Sequence, residues 1–190
     1  MESSDAETEE IIQRDFQLSE DFVSQEEADR LMDEVEDYLE DLEYEYDHLD
    51  NAIHGYRETE KSRWSAESEA VLQRIRRTAF PAGEQQLSLV HVLDLAKDGF
   101  IKPHVDSLKF CGSTITGLSL LSASVMRLAK ESNPERWVQL VLRPRSLYVM
   151  KGRARYEYTH EILKDSESVF RGQKLARDRR ISIMCRNEPS

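Results

Sequence analysis

Cysteine is almost missing from this chain. Cys111 and Cys185 are the only two in 190 residues, and no C-x-x-C pair occurs. A disulfide scaffold and a cysteine-based zinc site are therefore excluded, and a reducing compartment is expected. Long apolar runs are missing as well. None approaches the roughly 18 residues of a helical membrane span, so no such span is expected. There is no glycine-rich phosphate loop, no serine nucleophile elbow and no H-E-x-x-H zinc-protease motif.

Basic residues are scarce in one place only. Residues 1–60 hold 23 acidic and three basic side chains, a net −20, whereas residues 61–190 hold 14 acidic and 23 basic, a net +9. The chain reads as an acidic head on a basic body. Such a run is most often a solvated helical face. A sharper reading has the head packed on the body and masking it. The basic body keeps a nucleic-acid partner in play, while the head disfavours non-specific phosphate binding and duplex DNA. The first 20 residues are acidic and lack an apolar stretch, unlike a secretory signal or an arginine-rich presequence. Either the chain is not imported, or a presequence lies outside this sequence.

Local patterns divide the rest. Ser24 followed by Glu27 forms a capping box, and Ala28, Leu31, Met32, Val35, Tyr38, Leu39 and Leu42 continue at helical spacing, which predicts a helix over about 24–42. Residues 43–65 are rich in aromatics without a steady period. Ser65 caps a second predicted helix that ends at Pro81–Gly83. From Leu87 onward, eight short apolar runs at strand length alternate with breakers, which predicts a sandwich or barrel. The expected organisation is a mobile acidic head over 1–23 and a single domain over 24–190. Within it, helices over 24–82 lean on a β-core over 87–187, an α+β class.

His104 and Asp106 form H-V-D. On an extended segment, residues two apart point to the same side, so an imidazole and a carboxylate can share one ion. Alone, this pattern reads more often as a satisfied polar turn. His160, near a strand end in Tyr158–Thr159–His160–Glu161, is a candidate third ligand. Two histidines and one carboxylate on one face of an octahedron leave three positions open, the facial triad of non-haem Fe(II) oxygenases. Downstream, Arg180 and Arg186 bracket RISIMCR. They share a strand face with Ser182 and Met184, while Ile181, Ile183 and Cys185 take the other. Two guanidiniums projecting from a β-core call for an anion, and their planar fork suits a carboxylate. The bland alternative is a solvated edge strand.

H-x-D, a distal His and R-x5-R in a β-rich chain together resemble the AlkB family of Fe(II)- and 2-oxoglutarate-dependent dioxygenases. IKPHVDSLKFCG, GLSLLS, SLYVMKG, ARYEYTHEIL and RRISIMCR carry the likeness, which spans about 43–187. It implies a double-stranded β-helix (jelly-roll) core with Fe(II) on His104, Asp106 and His160. It further implies 2-oxoglutarate held by Tyr148, Arg180 and Arg186, molecular oxygen as the oxidant, and no catalytic group beyond the iron centre. The prolyl-hydroxylase-like relatives place a single basic residue nearer the distal His, so R-x5-R favours AlkB.

The members it most resembles are mitochondrial and tied to regulated necrosis and fatty-acid metabolism. A monomeric protein or small-molecule hydroxylase of the mitochondrial matrix is implied, with the cytoplasm as the alternative. Residues 43–65 are too few for a full base-gripping lid, so extrusion of bases from duplex DNA is not expected. A demethylase of structured or single-stranded RNA, such as mitochondrial tRNA, stays open, as does a non-catalytic scaffold. His54, Arg57, Arg63 and Trp64 are candidate substrate contacts, since a basic–aromatic cluster can grip nucleic acid, though it can equally be a packed connection. His48 could face substrate too. His91 reads as a satisfied strand histidine.

Overall fold

A computed structural model describes residues 1–46 and 52–189. His48 lies outside the described residues. Three helices precede the core: α1 (Ala6–Asp15), α2 (Gln25–Leu39) and α3 (Ala66–Ala79). Short strands β1 (Glu2–Ser3) and β2 (Phe16–Ser19) flank α1, and β3 (Ile53–Lys61) separates α2 from α3. The core runs through β4 (Val90–His104), β5 (Ile115–Leu121), β6 (Ser124–Lys130), β7 (Asn133–Leu142), β8 (Leu147–Met150), α4 (Gly152–Tyr156) and β9 (Tyr158–Ile162). A small hairpin, β10 (Val169–Phe170) and β11 (Gln173–Lys174), leads to β12 (Arg180–Met184). Among the described residues no helix is long and apolar enough to cross a membrane.

The capping box at Ser24 and Glu27 is present at the start of α2, and Ser65 caps α3 through the amide of Ser68. Two differences from the sequence reading concern secondary structure. The first two of the eight apolar runs, over 87–95 and 99–106, meet in the single strand β4, and the ARYEYTHEIL run divides into α4 and β9. The segment over 1–23, expected to be a mobile head, is placed differently. β1 pairs with β7, β2 pairs with β8, and α1 buries Ile11 and Ile12. Ile11, Ile12 and Phe16, with Met1 and Leu18 packed alongside, seat an otherwise charged segment in the interior cluster.

The strands form one curled sheet in the order β1-β7-β6-β9-β4-β12-β5-β8-β2, with β3 added on β4. This is the α+β jelly-roll architecture. β4 shares its two edges unequally. One edge pairs with β3 along most of its length; the other pairs first with β12 and then with β9. Strand alternation then sorts the side chains. Leu93, Leu95, Met126, Leu128 and Tyr148 belong to the interior cluster. Val90, Val92, Leu118, Leu120, Ile181 and Ile183 face the other way, onto Leu31, Val35, Leu39, Leu72 and Ile75 of α2 and α3. β12 is thus covered on both faces, as its near-continuous burial records.

A charged residue lies under the helix layer. Asp94 of β4 is fully buried. It accepts from Arg57 Nε (2.6 Å), from Arg179 Nε and Nη2 (3.0 and 2.9 Å) and from the Tyr44 hydroxyl (3.0 Å). Arg179 also donates to both carboxylate oxygens of Glu36 on α2, at 2.9 and 3.1 Å. The network ties the acidic helix to β3, β4 and the start of β12. Removing a partner from a buried ion pair costs about 3–5 kcal/mol. Asp94→Ala should cost somewhat less, about 2–4 kcal/mol, because both arginines keep Glu36 nearby and reach some solvent. A thermal melt should therefore fall by roughly 5–15 °C for a chain of this size; an unchanged melt would remove Asp94 from the account.

Candidate active site

Register brings the distant histidines together. His104 is the last residue of β4 and pairs directly with His160 of β9. The ring centroids lie 4.3 Å apart. Asp106 follows β4 by two residues; its Oδ1 is 3.2 Å from His104 Nε2 and 3.8 Å from His160 Nε2. One ligand atom from each of the three lies within 4.8 Å of the others. His104 Nδ1 faces the Lys102 carbonyl at 2.9 Å, which leaves Nε2 on the Asp106 side. Orienting one ring nitrogen by a backbone carbonyl is the usual way a ligating imidazole is fixed. Two imidazole nitrogens and one carboxylate on a single side fit Fe(II) and leave coordination positions open.

Electrostatics favours the binding-competent forms. Burial alone would raise the Asp106 carboxyl, but the His104 hydrogen bond and the charges of both histidines hold it well below the usual carboxylate range. Burial pushes His160 down to about 4, against the pull of Asp106. His160 is therefore a neutral imidazole at physiological pH, as ligation requires.

The three residues open onto a cavity of about 100 Å³ whose walls also include Tyr148, Arg180, Ser182 and Arg186. Arg180 is buried; its Nη2 donates to Ser119 Oγ at 3.0 Å, while among the described residues its Nε finds no partner. Burial pushes it down to about 10, so it stays charged at neutral pH. A buried cation with an unpaired N–H fits a carboxylate. Tyr148 is pushed up to about 12 by burial and then by the Asp106 charge, so its hydroxyl keeps its proton. Its ring stacks on Phe16 (5.3 Å) and lies against Gly117, its pairing partner on β5. A Cβ on Gly117 would stand 2.2 Å from the Tyr148 ring, so only glycine lets the tyrosine lie flat there. Arg186 donates from Nη1 to Cys111 Sγ at 3.2 Å. Apart from His91, the remaining walls are apolar, with Ile53, Leu93, Ile101, Met126, Ile162 and Met184.

The sequence-based substrate contacts are not gathered here. Arg57 is spent on Asp94 and lies over the Tyr44 ring. Trp64 donates to the Lys61 carbonyl and packs against the helix layer, and the Arg63 carbonyl accepts from Lys61 Nζ. His54 stacks on Phe100 (4.9 Å) next to the cavity-lining Ile53. His91 lines the cavity, as a strand histidine bonded through Nε2 to Glu58 at 2.6 Å. Pattern reading missed Ser119 and Gly117, whose importance depends on which strand pairs with which. It also missed the fully buried Arg155 of α4.

A family model described as the 2OG-Fe(II) oxygenase superfamily matches residues 4–186. The chain is 58% identical over 168 residues to "Alpha-ketoglutarate-dependent dioxygenase alkB homolog 7, mitochondrial" of Mus musculus, covering 88% of this chain and 76% of the relative. The Bos taurus protein of that name is 56% identical over the same length and shares. Among solved structures, a prolyl hydroxylase from Trichoplax adhaerens superposes with a TM-score of 0.64 at 12% identity, covering 96% of this chain and 87% of that one. OsALKBH1 gives 0.62 at 11%, covering 90% and 97%. At such identities these two likenesses concern the fold.

A pH dependence follows from His160. Its folded pKa lies below the unfolded value of 6.5, so the unfolded chain binds the extra proton first. The stability contribution is complete above pH 6.5 and is lost as pH falls toward 4. Metal-free protein should lose melting temperature across that window, and His160→Gln should flatten the dependence. Parallel pH profiles for the two proteins would contradict this assignment.

Proposed function

This chain belongs to the 2OG-Fe(II) oxygenase superfamily, and on that footing we propose that His104, Asp106 and His160 hold its iron while Tyr148, Arg180 and Arg186 hold 2-oxoglutarate. It is an oxidoreductase that uses Fe(II), 2-oxoglutarate and O2. When bound, the iron and keto acid supply oxidative decarboxylation coupled to oxidation of a substrate C–H bond. The protein contributes the rest. His160 and His104 offer ring nitrogens, and Asp106 offers a charge. Arg180, buried with an unsatisfied N–H, would receive the distal carboxylate. The Tyr148 hydroxyl, kept protonated, would donate to the cosubstrate. The apolar wall of Ile101, Met126, Ile162 and Met184 keeps the reacting centre dry.

The single observation that carries this reading is the convergence of the three ligand atoms above the buried, half-satisfied Arg180. For the substrate we propose a protein side chain or a small molecule. Two facts support that choice. The cavity wall is mainly apolar, and Arg57 and Trp64, the residues best suited to grip a nucleic acid, are engaged inside the fold. The curated relatives are named mitochondrial, which supports a mitochondrial site of action for this chain; the matrix is our proposal. By family resemblance the proposal extends to a role in regulated necrosis and fatty-acid metabolism.

Succinate release from 2-oxoglutarate, measured with peptide mixtures, metabolite pools and methylated single-stranded RNA, tests the substrate class. Stimulation by peptides or metabolites is expected. Stimulation by RNA alone would replace this reading with RNA demethylation, and no turnover under any condition would favour a non-catalytic scaffold.

The clamp is tested separately by calorimetry. Removing one partner of a buried charge pair costs about 2–5 kcal/mol, or tens- to thousands-fold in affinity. Arg180→Ala should weaken 2-oxoglutarate binding by that factor, and Arg180→Lys should restore only part, because an ammonium lacks the planar fork. Arg179→Ala, which breaks the Asp94 network instead, should lower the melt but leave 2-oxoglutarate affinity nearly intact. Equal affinities for Arg180→Ala and wild type would refute the clamp.

A further inference from the structure

The segment that follows β4 carries Asp106 at its start and has little of its own to hold it. Over residues 106–112 the backbone is irregular, and Leu108 and Phe110 are 63% and 64% exposed. Only Cys111 and Gly112 are buried there. A loop so poor in packed apolar surface must be located by hydrogen bonds. Ser107 turns the chain through its carbonyl, which accepts from the Cys111 amide at 3.0 Å, and Gly112 N–H reaches the Asn187 carbonyl at 2.9 Å.

The largest share comes from one side chain. Arg155, 1% exposed on α4, donates from Nη1 to the Asp106 carbonyl (2.9 Å) and from Nε to the Gly112 carbonyl (3.1 Å). Its Nη2 reaches the Cys111 carbonyl (3.3 Å) and the Ser107 carbonyl (3.5 Å). A guanidinium is the one side chain with enough donors, in a rigid plane, to bind both ends of such a loop at once. The fork is itself firmly mounted. Asp15 caps α4, accepting from the Arg153 amide at 2.8 Å, while its own carbonyl takes the Lys151 amide at 2.9 Å.

We propose that Arg155 is a positioning residue for the metal centre: by gripping the carbonyls of residues 106–112 it fixes the backbone of Asp106 and so aims its carboxylate at His104 and His160. The inference rests on reading those three residues as metal ligands. It requires no contact between Arg155 and the metal. A ligand must be held within about 0.5 Å of its productive place, and losing an outer partner of a metal ligand typically costs 10- to 100-fold in metal affinity.

Arg177 offers a matched control. It is equally buried and donates to the carbonyls of Gly99 (3.2 Å), Leu163 (2.8 Å) and Ala96 (3.5 Å), none of them in the Asp106 segment. Mn(II) alone is titrated calorimetrically into wild type, Arg155→Lys, Arg155→Gln, Arg177→Lys and His104→Ala, and the melt of each metal-free protein is recorded. Arg155→Lys and Arg177→Lys should both lower the melt. Only Arg155→Lys should raise the Mn(II) dissociation constant, by about 10- to 100-fold. Arg155→Gln stands in if the lysine variant does not fold. Wild-type affinity in a folded Arg155 variant, or an equal loss in Arg177→Lys, would overturn the proposal; so would failure of both Arg155 variants to fold, which would assign the residue to the fold. If wild type binds no Mn(II), or His104→Ala binds it as well as wild type, the metal reading itself falls.

Discussion

The site depends on β4 being a member of both halves of the curled sheet. Its first half pairs with β12 and its end pairs with β9. Because side chains alternate along a strand, these two pairings fix which residues of β9 and β12 point inward. His160 is set opposite His104 and Arg180 opposite Leu95, on one interior surface. A slip of one residue in either ladder would turn His160 or Arg180 onto the outer face. The irregular register between Ile101 and His104, next to Pro103, keeps the metal end of β4 from being a simple continuation of the ladder.

The charge asymmetry of the sequence is resolved by contact. Glu27 holds Arg74, Glu36 holds Arg179, Asp5 and Glu7 hold Arg136, and Asp21 holds Arg145. The acidic residues of the first sixty positions are thus spent in part on arginines of the body. Most of these pairs are partly exposed and contribute little singly. Their arrangement settles where the N-terminal elements dock and leaves fewer free cations to attract a polyanion.

Features carried by local periodicity could be read directly. The split of β12 into Arg180, Ser182 and Met184 against Ile181, Ile183 and Cys185 follows from period two. The caps of α2 and α3 follow from Ser24 and Ser65. H-x-D was legible because its members are two residues apart. His160, 54 residues beyond Asp106, was tied to them through resemblance, since no pattern in one sequence states a pairing. Ser119 and Gly117 acquire meaning only through register. Arg155 and Arg177 look like surface arginines because burial of a guanidinium on backbone carbonyls has no periodic signature. The docking of residues 1–23 was hidden by their charge, and the basic–aromatic cluster gave no sign that Arg57 bonds Asp94 and Trp64 the Lys61 carbonyl.

β12 is made after β5, β6, β7, β8 and β9, yet it lies between β4 and β5. Until it arrives, those two strands face each other across a gap with their ladder groups open on that side. The half of the pocket that carries Arg180 and Ser182 is absent through the same interval. Such a molecule acquires the proposed keto-acid subsite in the step that closes its sheet, so a nascent chain caught short of β12 would present two bare strand edges and an incomplete cavity. Shielding those open edges from other strands is then the main demand that the unclosed form makes.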